Sequence, residues 1–383
     1  MRLLHTADWH LGRVYHGVSL LEDQAVILDQ FVDLVRDVRP HAVLIAGDIY
    51  DRSVPPSDAV RLLDETLTRL VIGEGVPIIM IAGNHDGADR LGFGSRLLAE
   101  ARLIVRGTAE PGIEPVVLDD EHGRVAIYPV PYADPAFVRA VMEDATLDDH
   151  HKALKAQMDA IRAMHDPAMR AVAVAHAFVQ GGSVSDSERP LSVGGTGSVG
   201  TDVFDGMDYV ALGHLHSPQT MADGRIHYSG SLLKYSFNEA AQSKSVSLVE
   251  LDGQGRAAIK RIALKPRRDL RIVEGRLADL VQAGMSDPNR DDFILARLTD
   301  DGALLDPMVK LRTAYPNALS IERPQFLPDG GGLEPGRDHR KTGMQQLFAN
   351  FFREMTDSSL DPAAEAILAR EIEAMEKEDR EAA

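Results

Sequence analysis

Five predicted strands in the first 216 residues each end in side chains that can bind a metal ion. The segments at these ends read TADWH, IAGDIYDR, IAGNHDG, VAHAF and ALGHLH. Residues two apart in an extended segment point to the same side, so Asp8 and His10 share a side, as do His214 and His216. Because ligands of α/β proteins bind outside the carboxyl ends of sheet strands, we expect these side chains to gather in one crevice.

Each motif has an ordinary explanation when it is taken alone. Asp, Asn and Gly after a strand are typical of a turn, and His214 and His216 are equally consistent with buried histidines bonded to backbone carbonyls. Five such strand ends in one chain are hard to explain as turns together, and they favour a metal centre. The candidate ligands are Asp8, His10, Asp48, Asn84, His176, His214 and His216.

Seven oxygen and nitrogen ligands are too many for one catalytic ion. They suit two divalent ions bridged by one carboxylate, as in hydrolases of phosphate esters. A mixed Asp, Asn and His set without sulfur favours Mn²⁺ or Fe, and it permits Zn²⁺. The chain contains no cysteine, which excludes thiolate ligands and a thiol nucleophile.

The composition is that of an ordinary globular protein, with 44% hydrophobic and 26% charged residues. No run approaches the roughly 18 to 20 apolar residues of a membrane helix, so we expect a cytoplasmic protein without a membrane partner. The net charge of −18 is unusual for a protein that binds nucleic acid. Bound divalent cations would reverse the local sign, and a partner subunit could supply a basic surface.

Strands and helices alternate along the chain, which predicts an α/β (α+β) layered architecture. We expect a first domain over residues 1–267 and a small α/β domain over 268–324, where strands and helices again alternate. A Gly/Pro-rich linker over 325–341 and a helical tail over 342–383 complete the predicted organisation. A Gly/Ser-rich loop over 180–202 is long enough to be either functional or disordered.

The first helix of the tail carries an unbroken apolar stripe at helical spacing. Such a helix is more often docked on the core of its own protein. The flexible linker before it favours a contact with a partner protein instead. The stripe consists of Met344, Leu347, Phe348, Phe351, Phe352 and Met355.

The order and spacing of the strand-end motifs resemble those of the calcineurin-like metallophosphoesterases. Within that superfamily, the segments DSERPLSVGG, GHLHSPQ and YSGSLLKYSFNE are similar to segments of the SbcD family of bacterial nuclease subunits. The resemblance implies a two-sheet sandwich flanked by helices, with a small capping domain and a helical tail. It covers essentially the whole chain and is most specific over residues 8–245.

The resemblance also implies roles for individual residues. One ion would be held by Asp8, His10, Asp48 and His216, and the second by Asp48, Asn84, His176 and His214. His85 would protonate the leaving oxygen, and Asp86 would orient His85. Asp51 would support the ligands from outside the metal centre.

The implied activity is manganese-dependent cleavage of DNA, as an exonuclease on double-stranded ends and an endonuclease on single strands or hairpins. The implied partners are an SbcC-type ATPase with long coiled coils and a second copy of the chain, in a heterotetramer. His16 could position DNA near the metals, although a solvated loop histidine is at least as common.

Two other functions compete with this interpretation. A phosphomonoesterase or protein phosphatase shares the GD-x-x-DR pattern, but the chain has Ala82 before its GNH motif and Asp86 after it, where those phosphatases usually have Arg and Glu. A non-catalytic scaffold subunit is the other alternative. It is disfavoured because every candidate ligand, His85 and Asp86 are present.

Overall fold

The computed structural model describes residues 1–191 and 197–324 and five helical residues of the tail. Those five are Ala364, Ile367, Leu368, Arg370 and Ile372. The predicted linker over 325–341 and the apolar stripe over 344–355 lie outside the described residues.

Between residues 1 and 324 the described chain forms nineteen strands and eight α-helices. The strands are β1 (Arg2–Thr6), β2 (Val14–Tyr15), β3 (Val18–Ser19), β4 (Ala42–Ala46), β5 (Ile78–Ile81), β6 (Leu103–Arg106), β7 (Val116–Asp120), β8 (Gly123–Val130), β9 (Arg170–His176), β10 (Phe178–Val179), β11 (Ser198–Val199), β12 (Tyr209–Gly213), β13 (Gln219–Met221), β14 (Ile226–Tyr228), β15 (Ser245–Leu251), β16 (Ala257–Ala263), β17 (Leu270–Gly275), β18 (Phe293–Leu298) and β19 (Ala318–Glu322). The helices are α1 (Leu21–Val38), α2 (Ser57–Thr68), α3 (Ala88–Leu91), α4 (Ser95–Glu100), α5 (Pro135–Val141), α6 (His150–Met164), α7 (Leu277–Gly284) and α8 (Pro307–Ala314).

Two six-stranded sheets form the body of the protein. The first has the order β16-β15-β1-β4-β5-β6, in which the last four strands are parallel to one another. The second has the order β13-β14-β12-β9-β8-β7, in which the four central strands are parallel. Antiparallel strands flank these parallel groups, namely β15 and β16 in the first sheet and β13 and β7 in the second.

Successive side chains of the first sheet point to opposite faces, so one face contacts the helices and the other contacts the second sheet. In β4, Val43 and Ile45 pack with residues of α1 and α2 such as Phe31 and Leu63, whereas Leu44 packs with the second sheet. The outer face of the second sheet is covered by α5 and α6. The structure is therefore a helix–sheet–sheet–helix sandwich, which confirms the predicted fold class.

A third, smaller sheet of parallel strands, β17-β18-β19, carries α7 and α8. These helices close a separate apolar cluster that includes Leu280 and Leu311. Leu270 and Phe293 belong instead to the core of the first sheet. An ion pair between Lys234 Nζ and Asp269 Oδ1, 2.9 Å apart, also connects the sandwich to the segment that leads into the small sheet.

In the two large sheets the sequence pattern predicts every strand except β6, β7, β13 and β16, and these four lie at the sheet edges. An edge strand is covered less, so its apolar run is shorter and mixed with charged residues, as in the AAIKRIA sequence of β16. None of the helices in the described part of the chain is both long and apolar enough to cross a membrane.

A buried ion pair joins the edge of the second sheet to its centre. The Arg170 guanidinium at the start of β9 forms an ion pair with the Asp120 carboxylate at the end of β7, and both side chains are nearly inaccessible. Arg170 also donates to the Gly123 carbonyl at 2.9 Å. Although burial opposes it, the hydrogen bond from Arg170 holds the pKa of Asp120 well below its usual range.

We expect Asp120→Asn to lower the free energy of unfolding at pH 7 by about 3 kcal/mol, because it leaves the Arg170 charge without its carboxylate. A depressed pKa means that the contribution is complete above a pH of about 4, the usual carboxyl pKa, and is lost as the pH falls through the folded-state value. Urea unfolding of both proteins at several pH values measures this difference. An effect no larger than that of Asp119→Asn, at the exposed neighbouring position, would contradict the assignment.

Candidate metal centre

The carboxyl ends of five parallel strands meet at one edge of the sandwich. β1, β4 and β5 are neighbours in the first sheet, and β9 and β12 are neighbours in the second. All seven predicted ligands lie at these ends, and short distances connect their polar atoms. The distances are 3.0 Å for His10 Nε2–His216 Nε2, 2.9 Å for His176 Nε2–Asn84 Oδ1, 3.2 Å for His214 Nδ1–Asn84 Oδ1, 3.5 Å for His176 Nε2–Asp48 Oδ2 and 3.7 Å for His10 Nε2–Asp48 Oδ2. The Asp8 carboxylate accepts the His214 backbone N–H at 2.9 Å.

Glycines immediately before the ligands allow the strand ends to pack this closely, both between the two sheets and between β4 and β5 of the first sheet. A Cβ on Gly213 would lie 2.0 Å from the Ala46 carbonyl oxygen, and one on Gly83 would lie 2.2 Å from Asp48 Oδ1. Contacts below 3.0 Å are not tolerated, so only glycine fits at either position. A Cβ on Gly47 would likewise lie 2.5 Å from His176 Nδ1, so the glycines of the GD, GN and GH motifs all act through close packing.

Four of the ligands adopt left-handed backbone conformations that are uncommon for residues other than glycine. Asp8, His10, Asp48 and His214 have φ values of 54°, 45°, 51° and 105°. Hydrogen bonds between the loops hold two of them in place, since the Asp8 N–H donates to the Gly47 carbonyl and the His10 N–H to the Asp48 carbonyl, both at 3.0 Å. The backbone strain is concentrated where the ligands converge.

The centre is buried, and burial decides the charge state of two of its histidines, His10 and His214. Burial and the neighbouring histidines lower the pKa of His10, and burial lowers the pKa of His214 to about 3. These rings are therefore neutral at pH 7 and offer nitrogen lone pairs. Burial and the charge of Asp48 raise the pKa of Asp8.

Two buried polar atoms of the centre, Asp8 Oδ2 and His10 Nδ1, have no hydrogen-bond partner within the described structure. A buried carboxylate oxygen without a partner is costly unless a cation binds it. Unpaired acceptors, neutral imidazoles and buried carboxylates together are the environment that a divalent cation requires. The residues present therefore fit such ions.

Ligand atoms that lie within 4.8 Å of one another form three groups among the described residues. Two of them, Asp8-His10-His216 and Asp8-Asp48-His176, overlap the two predicted ligand sets. The third contains His10, Asp51 and His85. The division of the ligands between two ions stays a prediction.

His85 and Asp86 lie at the centre but are not joined in the way expected from the sequence. His85 Nδ1 lies 2.8 Å from the Asp51 carbonyl oxygen, so a backbone group orients the ring. Its Nε2 is 4.0 Å from Asp48 Oδ2. The Asp86 carboxylate instead accepts backbone N–H groups of Ile49, Tyr50 and Gly83 at 2.9 to 3.1 Å. Asp86 thus ties the loop after β5 to the loop after β4, and its predicted contact with His85 is replaced by these bonds.

The Asp51 carboxylate lies beside the predicted ligand His10, and its supporting role stays a prediction. Its Oδ1 lies 3.8 Å from His10 Nδ1 and 2.9 Å from an Arg13 guanidinium nitrogen. Arg13 in turn lies over the Tyr235 ring, 5.2 Å from its centroid. His16 packs against Tyr15 and is outside the three ligand groups.

Several residues that hold the ligands were not predicted. Gln24 on α1 donates to the carbonyls of Trp9 and His10 at 3.1 and 2.7 Å and accepts the Gly12 N–H at 3.0 Å, so one buried amide orders the loop after β1. A second group surrounds His216 and consists of Ser187, Glu188, Glu239 and Lys244. The resemblance to other proteins had singled out the segments that contain Ser187 and Glu239, but no local pattern indicates that they meet.

Comparison with known proteins places the chain in a family. A family model described as calcineurin-like phosphoesterase matches residues 1–218, and one described as type 5 capsule protein repressor C-terminal domain matches residues 266–356. The SbcD subunit of the nuclease SbcCD from Staphylococcus epidermidis is 36% identical over 360 residues, which cover 94% of this chain and 95% of that protein. The chain belongs to the SbcD family of calcineurin-like phosphoesterases. Phosphoesterases of this kind use divalent metal ions, and the ligand groups described above provide the site for them.

Solved structures show weaker similarity. A dimetal phosphatase from Danio rerio is 13% identical with a TM-score of 0.43, over 70% of this chain and 98% of that one. A hypothetical protein from Thermus thermophilus is 16% identical with a TM-score of 0.38, over 70% of this chain and 100% of that one. Both scores are below 0.5, and neither structure informs the choice of substrate.

We expect Gly83→Ala to weaken Mn²⁺ binding by about tenfold or more, because the new Cβ would displace the Asp48 carboxylate on which the centre depends. Gly73→Ala is the matched control, since a Cβ there meets nothing within 4 Å. Calorimetric titration of the metal-free proteins with Mn²⁺ measures both effects. Equal affinities for the two variants would show that the close approach of Gly83 to Asp48 is not required.

Proposed function

We propose that the protein is a metal-dependent nuclease that hydrolyses DNA phosphodiester bonds. It would act as an exonuclease on double-stranded ends and as an endonuclease on single strands and hairpins. The observation that carries the proposal is the convergence of seven ligands from five strands next to His85, in a chain of the SbcD family. The name of the Staphylococcus epidermidis relative supports the choice of a nuclease over other phosphoesterases.

The proposed cofactors are two divalent ions for each subunit, with Mn²⁺ the favoured metal. One ion would be held by Asp8, His10, Asp48 and His216, and the other by Asp48, Asn84, His176 and His214. Divalent ions at such a site make water nucleophilic near neutral pH and stabilise negative charge that develops on phosphate. The mixed nitrogen and oxygen ligands support Mn²⁺.

The proposed roles of the protein groups follow from their hydrogen bonds. His176 Nδ1 is 2.8 Å from the Ala46 carbonyl oxygen, which makes Nδ1 the donor and leaves Nε2 free to bind a metal. His85 is held in the same way by the Asp51 carbonyl, so its Nε2 is presented to the centre. A proton on Nε2 of His85 would pass to the leaving oxygen of the cleaved phosphodiester. Asp86 would act as a positioning residue through the two loops that it joins.

The proposed DNA path is a cleft of about 850 Å³ beside the metal centre. Arg13 and Phe237 lie on its sandwich side, and Arg271 and Arg297 lie on the small sheet, which we propose as a cap over residues 268–324. All three arginines are ion-paired with carboxylates. Attraction of DNA by the cleft itself is therefore modest, and the bound ions and a partner would supply positive charge.

We expect His85→Ala to lower the rate of DNA cleavage by about 10²- to 10⁴-fold while both ions remain bound, because it removes the proposed acid and no ligand. Asp48→Ala should lose both ions, since Asp48 is the proposed bridge. The test is Mn²⁺-dependent cleavage of a labelled hairpin and a blunt duplex, with metal content measured for each protein. His122→Ala, at an exposed histidine, is the control.

An aryl phosphomonoester assayed beside the DNA separates the competing functions. Turnover of the monoester with intact DNA would make the protein a phosphatase. Full DNA cleavage by His85→Ala would overturn the assignment of the acid.

The second copy of the chain is proposed to dock on the exposed apolar side chains around α4. Phe93 and Leu97 are 86% and 81% exposed, and Leu98 beside them is also exposed. Adjacent large apolar side chains in solvent mark interaction sites. A second copy of the chain is the favoured partner for this surface, since the resemblance to the SbcD family implies a homodimer.

We expect the double variant Phe93→Glu/Leu97→Glu to be monomeric, because two buried charges would oppose the interface. The wild-type protein and a Val309→Glu control, altered at an exposed apolar residue of the small sheet's helix, should remain dimeric. Sedimentation velocity measures the three masses. A dimeric double variant, or a monomeric wild type, would overturn this interface.

The remaining partner is proposed to be an SbcC-type ATPase with coiled coils, in a heterotetramer with the dimer. The name of the relative, which makes it one subunit of SbcCD, supports such a complex. The proposed contact is the apolar stripe over 344–355, which is known here only from its sequence spacing. We also propose a cytoplasmic location, where such a partner and DNA would both be available.

A further inference from the structure

The His216 ring is hydrogen-bonded on the side away from the other ligands by a chain of buried polar groups. His216 Nδ1 lies 2.5 Å from Ser187 Oγ. The same hydroxyl contacts Glu239 Oε1, and Glu239 Oε2 forms an ion pair with Lys244 Nζ at 2.6 Å. Glu239 has no exposed surface, and Lys244 and Ser187 are also buried. We refer to Ser187, Glu239 and Lys244 as the His216 relay.

The direction of these hydrogen bonds follows from the charges. Lys244 is the cation in contact with Glu239, and an ionised carboxylate can only accept hydrogen bonds. The single hydroxyl proton of Ser187 is therefore donated to Glu239. Ser187 Oγ must then accept the N–H of His216 Nδ1. A ring with its proton on Nδ1 has its lone pair on Nε2, which is the nitrogen 3.0 Å from His10 Nε2.

The relay also fixes the backbone next to the ring. Lys244 Nζ donates to the His216 carbonyl at 2.8 Å. Glu188, the neighbour of Ser187, accepts the His216 N–H at 2.6 Å. The ring and both backbone groups of His216 are thus held by two separate segments, residues 187–188 and 239–244.

Among the predicted histidine ligands of the described chain, His216 alone is oriented by an ionised side chain through a hydroxyl. His176 uses the Ala46 carbonyl for the same purpose, which no substitution can remove. The His214 Nδ1 atom faces Asn84 within the centre. Removal of one hydroxyl can therefore perturb His216 without touching any other ligand.

We propose that the His216 relay sets the affinity of the centre for one of its two ions, the one held with Asp8 and His10. Its members are positioning residues that hold His216 in the tautomer and orientation that bind metal. The inference rests on the proposed two-ion centre. It also gives a role to the loop over 180–202, whose Ser187 and Glu188 must lie against His216 for that ion to bind tightly.

The test is calorimetric Mn²⁺ titration of metal-free wild-type protein, Ser187→Ala and Ser185→Ala. Ser187→Ala should bind one of two ions about 10- to 100-fold more weakly, as expected for loss of a group that orients a ligand. Ser185→Ala is the matched control, because Ser185 Oγ also contacts Ser187 and Glu239, at 2.9 and 3.3 Å, but does not contact His216. The electron paramagnetic resonance signal of Ser187→Ala at limiting Mn²⁺ should be that of single ions rather than a coupled pair.

A merely structural role predicts a different result. Ser187→Ala would then lower the melting temperature of the metal-free protein and weaken the binding of both ions equally. This outcome would overturn the proposal, and so would unchanged affinities for both ions. Glu239→Gln provides a second variant that should weaken the same ion. If the wild-type protein binds two ions and Ser187→Ala loses one of them, but the wild type does not cut DNA, the proposed role of the His216 relay stands. The proposed nuclease activity would then be refuted.

Discussion

The functional centre depends on the contact of the two sheets, backbone against backbone, at the ends of their parallel strands. Gly213 of the second sheet lies against the Ala46 carbonyl of the first, and Gly47 of the first sheet lies against the His176 ring of the second, at distances that exclude any side chain. This contact brings strands of one sheet within ligand distance of strands of the other. A single methyl group at either glycine would push the two halves of the ligand set apart, so the centre exists only while the sandwich is closed.

Closing the sandwich buries many polar groups at the centre, and two of their atoms, Asp8 Oδ2 and His10 Nδ1, have no hydrogen-bond partner in the described structure. The carboxylates of Asp8 and Asp48 and the neutral imidazoles around them are almost completely buried. Left-handed backbone at four of the ligands adds strain that the surrounding hydrogen bonds must oppose. Divalent ions relieve the electrostatic part of this cost, and metal binding therefore stabilises the folded state of the centre as well as preparing it for chemistry.

The central elements and the ligand types could be predicted from the sequence, because both depend on local patterns. Strands such as β4 and β9 are continuous apolar runs, and the polar residues that end them stand out. Four edge strands of the two large sheets, β6, β7, β13 and β16, carried weaker patterns and were not predicted. The family resemblance implied that Asp86 orients His85, but residues adjacent in a loop need not point at each other. Asp86 turns away to bind backbone N–H groups, and a carbonyl from another loop orients His85.

The sequence by itself determined which residues end the strands, and with them the chemistry of the centre, since strand periodicity and residue type are properties of neighbouring residues. The tertiary structure decided which nitrogen of each histidine faces the centre, because the groups that choose it come from distant segments. Ser187 and Glu239 are separated by 52 residues and are brought into contact beside His216 by the fold. Gln24 reaches the loop after β1 from a helix on the outer face of the sheet. Such partners are set by the packing of the layers, which no local pattern records.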